Sequence, residues 1–529
     1  MKKSFPKTLI QIHYHNRPGG VTRVMQEYAR TFSSINDGVV SKSIIICHSD
    51  RMFDSAEMKS VAGCDYRSFS SRIDYQAVVK SLTSQLKRIL FDKNLPGPVC
   101  VAGHNLTLGK NCALSAAFAA CVKFAQKKHP HHRFFSIVHD FAEEGRLANL
   151  HQINTLESLG IAIRKQFYLQ SDNLVYVTPH QRNFQLLKSA GLNARCLYNP
   201  VNADQVLSLS ADQKKNVFDT LAAKAMRDGN VFDRNKPTLF YPGRIIARKN
   251  CLEAILVACI AYRANLVLGP RGTSLADRAL YRQLTSLTRK FKLPVVFDVS
   301  DHDSFLIKRL KNTGSVFNCM FAAAHCCITT SVAEGFGYAL YEPWLHGTVV
   351  LGRCPMDFIP AVKMDCRYLY GSLNVPVQWV DRELLVQQYQ LIEHAFNSIS
   401  PVNDLMKRGV SLDQKFADKL ILDFGKLDVQ NQIAIVSRLI TDSDLQKAWL
   451  NLNMSGLSTL PNGKTARAII EFNRNGIVDK LGDQSFRRAF RRCFDSSPLS
   501  NKPSLLNYNY ILAYFKQPDR LLPLLTPDL

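Results

Sequence analysis

Long apolar runs are missing from this chain. Stretches such as Ala254 to Tyr262 are bounded by Glu253 and Arg263, far short of the ~20 residues needed to span a bilayer, so no transmembrane helix is expected. Cys-x-x-Cys pairs are missing too. The fourteen cysteines are scattered, and several, such as Cys47, Cys259 and Cys326, lie in apolar runs where a reduced thiol packs as a small hydrophobe. There is no low-complexity tract and no internal repeat, and with 46% hydrophobic and 21% charged residues the composition is that of a folded globular protein. The basic start, MKKSFPKTLIQIHYH, has no long apolar segment and no small-residue cleavage site, so it does not read as a signal peptide. The expected location is cytoplasmic, with peripheral contact at the inner membrane face as a variant of that reading.

Acidic residues are scarce: 43 Asp and Glu stand against 67 Lys and Arg, a formal charge of +24. That balance favours anionic partners, whether nucleotide phosphates, acidic lipid headgroups or nucleic acid. The basic residues are dispersed and no recognised binding motif appears, so nucleic acid is not expected. The first strand-to-helix turn lacks Gly-x-Gly-x-x-Gly, which argues against a dehydrogenase.

At 529 residues the chain is too long for one core. Strand-like runs alternate with helical patterns from the N-terminus: TLIQIHYH, SIIICHS, PVCVAGH, RFFSIVHD, NLVYVTP and CLYNPV, with helices through Val24, Tyr28 and Phe32, from about Cys112, and through Phe184 and Leu187. The alternation lapses into a polar segment and restarts with TLFYPGR, ANLVLGPRG, VVFDVS, HCCITTS and TVVLGRC. Strands alternating with helices imply crossover units and parallel sheets covered on both faces. The expected class is α/β, two Rossmann-like doubly wound domains facing a cleft, with a mainly helical C-terminal extension. The expected bounds are 1–205 for the first such domain, 206–235 for a linker, 236–424 for the second, and 425–529 for the extension.

The most informative stretch is SVAEGFGYALYEP, after the strand-like HCCITTS. Gly335 and Gly337 let backbone approach a ligand, and a helix starting near Gly337 offers free N–H groups to an anion. Glu334 stands at its entrance and Glu342 about two turns further on by the ~3.6-residue period. Carboxylates beside a phosphate site suit sugar hydroxyls, since a carboxylate accepts two hydrogen bonds from a diol; a helix start with a solvated glutamate is the plainer reading. In TLFYPGRIIARKN, Arg244 follows a strand and Lys249 enters the next helix, two cations that suit a diphosphate, against a merely solvated basic loop. In the first domain Gly19-Gly20 lies at a strand-to-helix turn and His139 ends RFFSIVHD; either could be structural. HNLTLGKN offers His104, Asn105 and Lys110 as candidates for acceptor recognition, with a plain loop as the alternative.

These blocks together resemble the GT-B fold retaining glycosyltransferases, family 4-like (glycosyl transferases group 1): GGV at 19 to 21, His139 in IVHD, GRIIARK at 243 to 249, and the Glu-x7-Glu signature EGFGYALYE at 334 to 342. The resemblance implies a nucleoside-diphosphate-sugar donor bound mainly by 236–424, an acceptor side in 1–205, part of 425–529 crossing back to the first domain, transfer with retention and no metal or other cofactor. Carried over, Arg244 and Lys249 hold the diphosphate and Glu334, Gly335, Phe336 and Gly337 meet the donor sugar. Glu342 holds the ribose, Gly19 and Gly20 lie near the phosphates, and His139 lies near the donor sugar. Arg244, Lys249, Glu334 and His139 are thus the catalytic set, without a nucleophile. The chain departs from the family at Asn250, where Gly is usual, at Pro343, where Ala is common, and in its long extension. A glycosyl phosphorylase or sugar-phosphate synthase on the same fold is the enzyme alternative, and a non-catalytic nucleotide-sugar or nucleic-acid-binding protein the alternative of another class. The acceptor is a carbohydrate, lipid or small molecule.

Two further motifs compete with packing. SFRRAFRRCF spaces Phe486, Phe490 and Phe494 by four, with Arg487, Arg488, Arg491 and Arg492 beside them. If helical, it buries its aromatic stripe in a core or lays it on an anionic membrane surface. HPHHR lacks Cys or acidic ligands at familiar spacings and reads as a polar loop.

Overall fold

A computed structural model describes residues 5–17, 19–33, 40–48, 55–144, 146–203, 207–311, 313–356, 358–397, 420–461, 463–496 and 506–515, with 517, 520 and 524. The chain forms two compact units, one from Met1–Asn202 and Lys480–Leu521 and the other mainly from Ala203–Ile392 and Met406–Asp479.

In the first unit, seven strands, β1 (Thr8–His15), β2 (Lys42–His48), β3 (Glu57–Ser60), β4 (Val99–His104), β5 (Arg133–Ile137), β6 (Leu174–Thr178) and β7 (Ala194–Cys196), form one sheet in the order β3-β2-β1-β4-β5-β6-β7. Every pairing is parallel. β4 and β6 are buried along their whole length, as expected where helices cover both faces. β3 was not expected: EMKS has no apolar run, because an edge strand is half exposed and can be charged. CLYNPV begins only at the last residue of β7.

Helix Gly20–Ser33 turns Val24, Tyr28 and Phe32 to the core, the i, i+4, i+8 stripe of an amphipathic helix. The C-terminal helix Asp483–Asp495 belongs to this unit and packs on that stripe. Phe486 lies 4.6 Å from Tyr28, and Phe490 lies 4.8 Å from Phe32 and 5.2 Å from Phe135 between ring centroids. Arg487 donates to the Thr31 carbonyl at 2.7 Å and Arg30 to Asp483 at 2.6 Å. The aromatic stripe of SFRRAFRRCF is therefore core, whereas Arg488, Arg491 and Arg492 are exposed.

The second unit restarts the pattern with β8 (Thr238–Tyr241), β9 (Asn265–Leu268), β10 (Val295–Val296), β11 (Cys326–Thr329), β12 (Val349–Arg353) and β13 (Leu369–Tyr370), a parallel sheet in the order β10-β9-β8-β11-β12-β13. The stretch 206–235, expected as a linker, instead holds helix Ala211–Arg227. Ser210 and Gln213 close a capping box at its start, and Val217, Leu221 and Ala225 are buried with Phe240 and Val267 in the core of this unit. Its charged face hid that stripe in the sequence. The unit also holds an antiparallel pair, β14 (Asn374–Pro376) with β15 (Ile421–Asp423), and helices Val429–Thr441 and Ser443–Asn453. Among the described residues no helix is long and apolar enough to cross a membrane.

Strand order reverses between β1 and β4 in the first sheet and between β8 and β11 in the second. Open parallel sheets bind ligands outside the carboxyl ends of the strands at such reversals. The loops after these four strands carry nearly all the residues singled out by the sequence.

Candidate functional site

In the second unit the loop after β8 and the loop after β11 are stitched together through backbone oxygens. Residues Ala247–Lys249 form a single 3-10 turn. The Tyr241 hydroxyl donates to the Lys249 carbonyl at 2.8 Å, Thr330 Oγ1 to the carbonyls of Lys249 and Asn250 at 3.1 and 2.9 Å, and Ser331 Oγ to that of Arg248 at 3.2 Å. Gly243 makes room for this packing: a Cβ there would stand 2.7 Å from the Tyr241 ring and 3.4 Å from the Lys249 stem.

The turn aims two cations at Glu334. Lys249 Nζ pairs with Oε1, and Arg248 donates to Oε2 at 3.1 Å and to the Ala333 carbonyl at 3.0 Å. The Glu334 side chain is only 6% exposed. Burial pushes its pKa up, but Lys249 and Arg248 outweigh that and hold it below the usual carboxylate value. Arg244, half-buried, lies near enough for its charge to act on Lys249. The structure thus brings Arg244, Lys249 and Glu334 together and adds Arg248, which the sequence reading passed over although it sits inside the same motif.

Beyond Glu334, Gly337 caps helix Tyr338–Leu345 with φ +82. That left-handed conformation is one a glycine adopts at no steric cost. Phe336 is buried and stacks on Tyr341 at 4.9 Å, Gly335 lies in the loop, and Glu342 is buried within the helix.

Asn250, where the resembled family usually has Gly, takes φ +49, a region that Asn tolerates better than most residues. Its amide donates to Glu253 Oε2 at 2.6 Å. Glu253, wholly buried, also accepts from Arg353 at 2.8 Å and from the Tyr370 hydroxyl at 2.8 Å, while Arg353 reaches Asp423 at 2.7 Å. A buried ion cluster therefore ties the residue after Lys249 to β12, β13 and β15.

In the first unit, the backbone N–H of His139 donates to Asn105 Oδ1 at 2.8 Å, and His104 lies between His139 (3.2 Å) and Gln11 Oε1 (3.0 Å). Gln11 Nε2 donates to the Met25 carbonyl at 3.0 Å, which orients the amide so that Oε1 accepts. The network then assigns a proton to His104 Nε2, an acceptor role to His104 Nδ1, and a proton to His139 Nε2. His139 is left with Nδ1 as an acceptor. Burial pushes its pKa down to about 4 and that of His13 to about 3, so both are neutral at pH 7. His104 and Asn105, offered by the sequence as acceptor contacts, are 0% and 2% exposed; their place is beneath His139. Asp140 pairs with Arg146 at 2.8 Å. Lys110 is half-buried, and Gly19 and Gly20 lie at the start of helix Gly20–Ser33, Gly20 with open space where a Cβ would stand.

Two doubly wound parallel α/β units, each with a strand-order reversal, give the chain the GT-B type of fold. The chain is similar to the mannosylglucosyl-3-phosphoglycerate synthase of Petrotoga mobilis, with 26% identity over 440 residues, 79% of each chain. Among solved structures it is similar to the N-terminal domain of trehalose-6-phosphate phosphatase from Candida albicans, at 9% identity and a TM-score of 0.50, with 93% of this chain and 97% of that one covered. A UDP-forming α,α-trehalose-phosphate synthase from Burkholderia xenovorans aligns with 93% of this chain and 99% of its own at 11% identity and a TM-score of 0.48. No protein-family model matches.

Proposed function

We propose that this protein is a metal-independent retaining hexosyltransferase that uses a nucleoside-diphosphate-sugar. The observation that carries the reading is the convergence of Arg244, Arg248 and Lys249 with Glu334 at the strand-order reversal of the second sheet. In the ligand-free protein Glu334 serves as counter-ion to the cations. When a diphosphate binds, Lys249 turns to it with Arg244, and Arg248 keeps the charge of Glu334 balanced. Glu334 then accepts hydrogen bonds from the sugar and Glu342 from the ribose. As the glycosidic bond to the diphosphate breaks, negative charge grows on the leaving oxygens, and Arg244 and Lys249 stabilise it where a metal otherwise would. The departing phosphate takes the proton of the acceptor hydroxyl on the same face, so no enzymic nucleophile is needed. His139, neutral and with Nδ1 as acceptor, receives a hydrogen bond from a sugar hydroxyl.

The Petrotoga relative is named for making mannosylglucosyl-3-phosphoglycerate. We infer by analogy an acceptor that carries acidic groups. Reduced thiols, ten of them buried, suit a cytoplasmic location. The test is thermal unfolding with UDP, GDP and ADP in EDTA. A diphosphate at ~100 times its dissociation constant stabilises by about 2.7 kcal/mol. One of the three is expected to raise the melting temperature of the wild type and to leave an Arg244→Ala Lys249→Ala variant unmoved. No response to any would overturn the reading.

A further inference from the structure

The first sheet has its own strand-order reversal, between β1 and β4, and of the side chains that meet there the sequence had offered Lys110 alone. Three segments far apart in sequence converge on one ring. Tyr66, 46% exposed, has Lys110 Nζ 5.4 Å from its centroid, Arg17 Cζ at 5.9 Å, and the His15 ring at 4.8 Å. His15 ends β1, Arg17 follows it, and Lys110 lies in the loop after β4, the two strands flanking the reversal.

The donors around this ring are of three kinds. Arg17 offers a guanidinium fork, Lys110 a compact ammonium and Tyr66 a hydroxyl. His15 Nδ1 accepts the Arg17 backbone N–H at 3.2 Å, which places the proton of the neutral ring on Nε2, a fourth donor. Asp65 pairs with Arg17, whose side chain is 54% exposed, and accepts the Tyr66 N–H at 2.7 Å. An ion pair that open to water is worth little, so an anion with more oxygens can take Arg17 from it. Arg67 is held by Asp74 at 2.9 Å and adds only its field. A phosphomonoester, with three oxygens and nearly two negative charges, matches this number and type of donors better than a carboxylate does.

We propose that His15, Arg17, Tyr66 and Lys110 bind a phosphomonoester on the acceptor substrate, at the reversal point of the first sheet. As an acceptor site this rests on the transferase reading; as an anion site it stands alone.

Calorimetric titration of the full-length protein with glycerol 3-phosphate, inorganic phosphate, glycerate and glycerol tests it, in wild type, Arg17→Gln Lys110→Gln and Lys249→Ala. Wild type and Lys249→Ala are expected to bind both phosphate compounds more tightly than glycerate and not to bind glycerol. The Arg17→Gln Lys110→Gln variant, folded by its melting temperature, should lose about tenfold or more in that affinity and keep its response to a nucleoside diphosphate. Absence of phosphate binding to wild type, binding unchanged in Arg17→Gln Lys110→Gln, or loss confined to Lys249→Ala would each overturn the site. If glycerol 3-phosphate binds through Arg17 and Lys110 while no nucleoside diphosphate binds, the anion site stands and the donor reading falls; the reverse pattern removes this site alone.

Discussion

Glu334 is where charge, burial and chemistry meet. Its carboxylate is the counter-charge of Lys249 and Arg248, so truncation removes that counter-charge together with the sugar contact proposed above. Glu334→Ala is expected to abolish transfer while nucleoside diphosphate still binds, because Lys249 and Arg248 remain. A variant that retains activity in a radiolabelled-sugar assay would take Glu334 out of its role. Lys249→Ala acts the other way, weakening diphosphate binding by about tenfold or more, the loss of one charge-assisted contact, as a titration would read. Arg248 was not singled out in the sequence because its neighbours Arg244 and Lys249 already accounted for the motif; its contacts with Glu334 at 3.1 Å and with the Ala333 carbonyl at 3.0 Å separate it from a solvated loop arginine.

Two elements carry energetic claims of their own. Arg353 is 4% exposed beside Glu253 at 0%, and breaking a buried pair by removing one partner costs about 3–5 kcal/mol. Arg353→Met should lower denaturant stability by that order. Because Glu253 also holds Asn250, nucleotide affinity should fall as well, which a titration checks at a temperature where the variant is folded. Unchanged affinity would reduce the cluster to a structural role. On helix Asp483–Asp495, Phe490 is 0% exposed among Phe5, Phe32 and Phe135, and Phe490→Ala should cost about 3–5 kcal/mol. Arg491→Glu with Arg492→Glu should leave stability within about 0.5 kcal/mol, since those side chains face water. Both arms are read by chemical denaturation. The same spacing of four that announced the helix could not say what would cover its phenylalanines.

Acid response belongs to the molecule as a whole. His13, His104, His139 and His180 are all pushed down by burial, His139 and His180 to about 4 and His13 to about 3. Unfolded, each returns to about 6.5. Between 6.5 and those lowered values the unfolded chain binds protons that the folded chain refuses, so stability is full above 6.5 and falls as pH drops towards 4. Glu143 and Glu253, raised by burial, act in the opposite sense, and the histidines outnumber them. The melting temperature should therefore decline across this window, and His139→Asn should flatten the decline. A melting temperature that is constant from 6.5 to 4 would contradict the burial of these rings.

By itself the sequence determined the class of fold and the course of the Glu334 turn, because both are local. Buried parallel strands are written as short apolar runs, helices as stripes such as Val24, Tyr28 and Phe32, and the Glu334-Gly-Phe-Gly turn as consecutive residues whose backbone demands are their own. What only the tertiary structure decided depends on residues distant in the chain. The charged face of Ala211–Arg227 reads as a linker until Val217 and Leu221 find Phe240; His104 reads as a surface contact until Gln11 and His139 close over it; and Arg17, Tyr66 and Lys110 are unrelated until the order of β1 and β4 sets them side by side. Burial and charge pairing are properties of neighbours in space, and a one-dimensional pattern specifies only neighbours in sequence.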